Sequence, residues 1–211
     1  QYHILGYNYD PEGEAVRKIV ERGHRYRIEK AVLRMDFIRD EFGFDFFEED
    51  REEILSLNNP GKPHIANMMV KYGYVKNKEE GICEYLNKAH IPNKSIRPEE
   101  AIEAVLESGG IPVLAHPFYG SGDQLIIGDE MDKRLKFLTE CGLEGVEAYY
   151  SGFSVRLIRE MLEFSEKYHL YVTAGSDYHG RNKLIALGDN NLGAVSEGAG
   201  GLHRFLERVL G

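Results

Sequence analysis

The sequence predicts an α/β fold with a helical insertion, on two observations. From residue 98 onward, short apolar segments alternate with amphipathic helical ones, the pattern of βα units around a parallel sheet or barrel. Residues 11–97, by contrast, carry almost only helical periodicity. Three stretches follow: residues 1–10 hold a first strand, 11–97 a helical insertion subdomain, and 98–211 the C-terminal βα part.

The strand formers Tyr2, Ile4 and Leu5 place a strand over residues 1–7, with Gly6 ending the run. Asp10-Pro11 then opens a helix to about residue 41. Val16, Ile19, Val20, Ile28, Val32, Met35 and Ile38 recur along it at three- and four-residue spacing, and Gly43 stops it. Phe42, Phe44, Phe46 and Phe47 read as an aromatic packing patch. A short acidic helix covers 48–57. Another covers 63–72, with Pro63 in its first turn and Gly73 after its end. Residues 77–88 form an amphipathic helix with Ile82, Tyr85 and Leu86 on one side. Pro98 starts a helix to 108, closed by Gly109-Gly110. Strands fall at 111–115, 145–149 and 170–175, and helices at 131–141, 155–168 and 202–210. Residues 196–201, with three glycines, read as a loop.

A chain of 211 residues, 42% hydrophobic and 29% charged, is neither collagen-like nor wholly disordered, and it can bury a core. Its 26 Lys and Arg against 35 Asp and Glu give a formal charge of −9, which argues against stable binding of duplex DNA through a basic face. The two cysteines, Cys83 and Cys141, make no disulfide framework and point to a reducing compartment, the cytoplasm. No apolar run reaches the roughly 18 residues of a membrane span, and no signal peptide opens the sequence.

In parallel α/β folds, functional side chains gather at the C-terminal ends of strands. Here Ile111-Pro112-Val113-Leu114-Ala115 ends in His116-Pro117, and Leu170-Tyr171-Val172-Thr173-Ala174 ends in Gly175-Ser176-Asp177-Tyr178-His179. The strand Gly145-Val146-Glu147-Ala148-Tyr149 carries Glu147. In extended chain, residues i and i+2 point the same way, so Asp177 and His179 could reach one metal centre or two adjacent ones. Imidazole and carboxylate suit zinc, manganese or iron. Such ions activate water and clamp phosphoryl oxygens. A lone strand-end His is usually a hydrogen-bonded surface or core residue, and Asp-x-His alone is a weak signal. The conjunction at two strand ends carries the metal reading. His24, His90, His169 and His203 lie on or beside helices without a partner pattern, and read as structural or solvated.

Gly110-Ile111-Pro112-Val113-Leu114-Ala115-His116-Pro117, followed by Gly175-Ser176-Asp177-Tyr178-His179-Gly180, resembles the last two motifs of the PHP domain, the polymerase and histidinol phosphatase superfamily. The likeness is to its TrpH-like branch, with nucleotide phosphatases and 5′-3′ exoribonucleases. Tyr2-His3-Ile4-Leu5-Gly6-Tyr7 resembles that branch's "His-Ile-Leu-Gly-Tyr" strand. Gly61-Lys62-Pro63-His64-Ile65-Ala66 resembles the "Arg-Pro-His-Ile-Ala" segment of its helical insertion, with Lys62 where the family usually has Arg. The resemblance implies a distorted (β/α)7 barrel whose rim holds up to about three divalent ions, zinc, manganese or iron, on roughly nine side chains. His3, His116, Asp177 and His179 match metal ligands, Lys62 and His64 match a segment facing the substrate phosphate, and Glu147 is expected to support a ligand rather than bind metal.

The family's first His-x-His, and an Asp, a His and a Glu ligand, come before the equivalent of His3. The sequence opens at Gln1, not Met, on the strand that carries His3. The expectation is therefore an incomplete barrel, a fragment of a metal-dependent phosphoesterase acting on a nucleotide or short oligonucleotide, and inactive or nearly so by itself. Open sheet edges would be met by pairing with a second copy, by rearrangement, or by a cover from the insertion. Two alternatives stand beside this reading. One is a degenerate PHP module that binds a nucleotide or protein partner without turnover. The other is a metal-dependent amidohydrolase-type enzyme cleaving a C–N bond.

Overall fold

A computed structural model describes residues 2–120, 124–180, 184–195 and 200–211. The chain folds as two compact units, Gln1–Arg17 with Arg97–Gly211, and Lys18–Ile96.

The first unit is built on a four-stranded sheet in the order β1 (Ile4–Tyr7), β2 (Ile111–Leu114), β3 (Gly145–Tyr150), β4 (Tyr171–Gly175). β2, β3 and β4 run parallel, as their apolar runs predict. β1, for which the sequence sets no direction, pairs antiparallel with β2, from Ile4↔Leu114 to Tyr7↔Ile111. The connection between them is a long excursion through the second unit, so no short crossover dictates strand direction. The chain returns through α5 (Pro98–Glu107), which starts with Pro98 and a Glu100 carboxylate accepting the Arg97 N–H at 3.0 Å.

One face of this sheet, with Leu114, Val146 and Val172, is buried in a cluster with Met131, Leu135 and Leu138 of α6 (Gly128–Glu140) and Ile158 and Met161 of α7 (Val155–Lys167). The other face places Ile111 and Val113 with Leu5, Tyr7 and Tyr171 against Phe205 of α8 (Gly200–Leu210). The final helix therefore begins at Gly200, inside the segment expected to be a loop. Residues 196–199 of that segment lie outside the described residues.

The second unit is helical. α1 (Glu14–Phe42) starts in the first unit and runs into this one, followed by α2 (Glu48–Leu55) and α3 (Lys62–Lys71). Met35 and Ile38 of α1, Ile54 of α2 and Ile65 and Met69 of α3 share one buried cluster with Phe46, Val75 and Leu86. The expected aromatic patch forms and extends: Phe44 stacks on Tyr74 at 4.6 Å, and Phe42 meets Tyr85 edge-on at 5.0 Å. The helix expected over 77–88 is instead broken into a single turn α4 (Lys78–Glu80), a π-helical turn Gly81–Tyr85 and a 3-10 turn Leu86–Lys88. The break sits where α3 presses close. A Cβ on Gly81 would meet Ala66 Cβ at 3.1 Å and Met69 Sδ at 3.5 Å, a crowding no periodicity in 77–88 encodes.

Each unit uses the same clamp at a helix end. Lys71 Nζ lies 2.6 Å from Asp50 Oδ1, and Tyr72 donates its hydroxyl to the same carboxylate. Lys167 Nζ lies 2.6 Å from Asp132 Oδ1, and Tyr168 donates to that oxygen at 2.8 Å. The lysine first and the tyrosine second hold both carboxyls below their usual range. Among the described residues, no helix is long and apolar enough to cross a membrane.

Candidate metal centre

The direction of β1 brings His3 to the site. Because β1 is antiparallel, its first residues lie at the rim formed by the C-terminal ends of β2, β3 and β4. The Ala115 N–H donates to the His3 carbonyl at 2.9 Å and extends the ladder by one residue. His3 Nδ1 then faces His116 Nε2 at 2.8 Å, with the rings edge to face at 84°. Two nitrogens on one tetrahedral ion with bonds of about 2.1 Å stand about 3.4 Å apart, so the pair falls within about 0.6 Å of that separation. Tyr2, the residue before His3, lies under the guanidinium of buried Arg134 at 4.3 Å.

His116 occupies a positive-φ conformation, +32°. Its carbonyl accepts the Tyr119 N–H at 3.0 Å, closing a turn with Pro117 in second place. Its own N–H donates to Glu147 Oε2 at 2.9 Å. Glu147 is only 4% exposed, and its carboxylate lies over β4, where a Cβ on Gly175 would stand 1.8 Å from Oε1. Glu147 thus grips the backbone of His116, and Gly175 makes room for the grip.

Asp177 and His179 meet, though not through extended chain. Asp177 has φ +52°, and the bend folds His179 back until its Nδ1 lies 2.7 Å from the Asp177 carbonyl and 3.4 Å from Asp177 Oδ1. An Nδ1–H donated to that carbonyl leaves Nε2 as the nitrogen with an available lone pair, the arrangement ligating histidines favour. Asp177 Oδ2 accepts the Tyr150 hydroxyl at 3.1 Å. The Ser151 hydroxyl donates to the Ser176 carbonyl at 3.1 Å, and Asn191 Nδ2 reaches the carbonyls of Tyr150, Ser151 and Phe153 at 3.0–3.2 Å. Sequence reasoning passed over Tyr150 and Asn191. Tyr150 follows the strand-end rule that found His116, but an aromatic there reads as packing.

The four residues that match metal ligands stand as two pairs at one rim. Among the described residues, no three His, Cys, Asp or Glu side chains converge on a single ion position. Each pair by itself offers donor atoms, imidazole nitrogen or carboxylate oxygen, of the types that suit zinc, manganese or iron. Of the other histidines, His24 Nδ1 lies 3.0 Å from the Asn58 carbonyl and His169 takes a positive φ just after α7, both structural placements.

Lys62 and His64 lie in the second unit, on the first turn of α3. Lys62 Nζ donates to Asn87 Oδ1 at 2.6 Å. Burial and the neighbouring Arg34 cation hold its amine below the usual lysine range. Lys30 is lowered in the same way, by burial and by Arg34 and Arg27. Among the described residues, the buried Arg34 Nε has no hydrogen-bond partner. His64 faces elsewhere. Its Nδ1 accepts the Gly61 N–H at 3.2 Å, and its ring lines a cleft of about 300 Å³ with Glu53, Leu57, Met68 and Lys71.

No family model matches the chain. It is 39% identical over 82 residues to the phosphoribosyl 1,2-cyclic phosphate 1,2-diphosphodiesterase of Eggerthella lenta, a match covering 39% of this chain and 28% of that protein. It is 24% identical over 186 residues to the 3′,5′-nucleoside bisphosphate phosphatase of Chromobacterium violaceum, covering 84% of this chain and 62% of that one. The crystal structure of a protein assigned as a metal-dependent phosphoesterase, from Bifidobacterium adolescentis, shares its fold with a TM-score of 0.72 and 28% identity, over 90% of this chain and 66% of that one. The chain therefore spans between 28% and 66% of the length of these proteins. In sequence and fold it is therefore similar to phosphate-ester hydrolases and to a metal-dependent phosphoesterase, in keeping with the resemblance of its strand-end motifs.

Proposed function

We propose that the chain carries part of the metal site of a phosphoesterase that hydrolyses a phosphate ester of a nucleotide or short oligonucleotide, its four strands belonging to a distorted (β/α)7 barrel. The observation that carries this reading is the meeting of His3 with His116, 113 residues apart in the chain, at the strand-end rim that also holds Asp177 and His179. In this reading residues 1–10 and 98–211 supply the metal rim, and 11–97 form a helical insertion subdomain. His3, His116, Asp177 and His179 hold divalent ions, with zinc, manganese or iron suited to these donors. Such an ion supplies an acidified water as nucleophile and positive charge for the phosphoryl oxygens. Glu147 keeps His116 in its turn, and the Asp177 carbonyl fixes the ring of His179. Lys62, with Arg34 and Lys30, offers a cationic surface to a phosphate within a chain of net charge −9, and His64 offers its second ring nitrogen to a polar group.

The names of the two curated relatives favour phosphate esters over C–N bonds as the substrate. Four ligands are fewer than the family's full set, so the chain alone is proposed to turn over substrate slowly or not at all. The test is zinc titration into chelator-treated chain, beside assays with a nucleoside 3′,5′-bisphosphate and with an amide substrate. Zinc uptake with weak, metal-dependent phosphate release supports the reading. Absence of zinc uptake, or amide cleavage in place of phosphate release, sinks it.

A further inference from the structure

We infer that Tyr150 is the positioning residue that aims the Asp177 carboxylate, acting through that side chain without touching substrate. The inference rests on the reading of Asp177 as a metal ligand. A carboxylate at a positive-φ bend, φ +52°, is not held by a regular backbone ladder, so its direction depends on what its oxygens meet. The Tyr150 hydroxyl occupies Oδ2 at 3.1 Å, while Oδ1 lies toward His179 at 3.4 Å. One oxygen is thereby tied to β3, and the other lies on the side of His179. Donors placed behind ligands in this way orient them.

Tyr150 is itself rigidly placed. It is 3% exposed, its ring packs against Phe153 at 4.9 Å and Tyr119 at 5.6 Å, and its carbonyl lies 3.2 Å from Asn191 Nδ2. It also stands beside the other pair, its ring 5.9 Å from that of His116. The β3–β4 register explains how one strand serves both. Glu147 pairs with Thr173 and Tyr150 with Gly175, with an irregularity between Glu147 and Tyr149. Residues 147 and 150, three apart in β3, thus pair with residues 173 and 175, two apart in β4. Bulges beside functional sites re-aim side chains. One strand thereby supports His116 through Glu147 and Asp177 through Tyr150.

The test compares binding of Zn²⁺, and the visible spectrum of the Co²⁺ form, in the wild-type chain and in Tyr150→Phe, Tyr119→Phe and Asp177→Asn. Tyr150→Phe keeps the ring and removes only the hydroxyl. It is expected to weaken zinc binding about tenfold and to shift the cobalt d–d bands, with an unchanged melting profile. Tyr119→Phe also removes a hydroxyl, one that donates to the Gly152 carbonyl at 3.0 Å, and is expected to leave both readouts at the wild-type level. Wild-type affinity and spectrum in Tyr150→Phe, beside a large loss in Asp177→Asn, would overturn the inference while leaving the ligand reading intact. Equal losses in the two Tyr→Phe variants would overturn it as well. Wild-type zinc binding in Asp177→Asn would instead remove the ligand reading and, with it, the inference.

Discussion

Asp177 and His179 at the end of β4, and Lys62 and His64 at the start of α3, are both acid–base or cationic pairs two residues apart. The first pair converges, with His179 Nδ1 3.4 Å from Asp177 Oδ1. The second diverges: Lys62 turns to Asn87 and Arg34, His64 to a cleft with Glu53 and Leu57. A helix rotates about 100° per residue, so positions two apart point about 200° from one another. A chain that bends through a positive φ after a strand can fold the second side chain onto the first. Equal spacing in sequence is thus no measure of shared chemistry until the backbone beneath it is known.

If the convergent pair belongs to a metal site and the divergent pair to a phosphate surface, substitutions should separate them cleanly. The largest effect is expected from His116→Asn, which should weaken zinc binding by more than about 100-fold in a competition titration. Lys62→Met should leave zinc affinity at the wild-type value. A matched loss in both variants would erase the distinction between the regions.

Next in size is Gly175→Ala. Its methyl group claims the place of the Glu147 carboxylate, so it should cost about 3 kcal/mol in urea unfolding and weaken zinc binding as His116 loses its support. Gly193→Ala, with nothing among the described residues within 4 Å of the new methyl, should stay within about 0.5 kcal/mol of wild type. The smallest effect concerns Lys62 again. Its depressed pKa means the folded chain binds fewer protons there than the unfolded chain. Stability should therefore rise as pH climbs from the depressed value toward the ordinary lysine range. Lys62→Met should shrink that rise, leaving the share of Lys30, and should stabilise the chain at neutral pH slightly, by less than about 1 kcal/mol in urea unfolding given solvent screening. Phosphate affinity should fall about tenfold in the same variant. A stability gain paired with a binding loss marks a residue kept for its ligand.

Much of this was legible in the residues. Apolar runs ending in His116 and in Ser176-Asp177-Tyr178-His179 located both strand ends, and Pro63 and Pro98 marked two helix starts. Local sequence could not reveal the direction of β1, since the pairing partner that sets it lies more than a hundred residues away. The same holds for the π-turn at Gly81, which passes close to Ala66, and for the Glu147 grip on a backbone N–H, which has no side-chain signature at position 116. Asp177 and His179 were brought together for a different reason from the one the sequence offers: alternation along a strand predicts the meeting, and a left-handed bend produces it.

Among the described residues, those other than glycine with positive φ are Asn8, His116, His169, Asp177 and Asn191. Asn, Asp and His are the side chains that tolerate this conformation best. If His116 and Asp177 hold a metal as proposed, the backbone and the coordination chemistry there draw on the same small alphabet. Alanine at either place removes a donor and strains a turn at once, so a loss measured with it blends two causes. Asparagine keeps the turn and removes only the donor. A scan of the rim with asparagine separates coordination from conformation, and an asparagine found naturally at either position would mark a chain that has kept the turn and given up the donor.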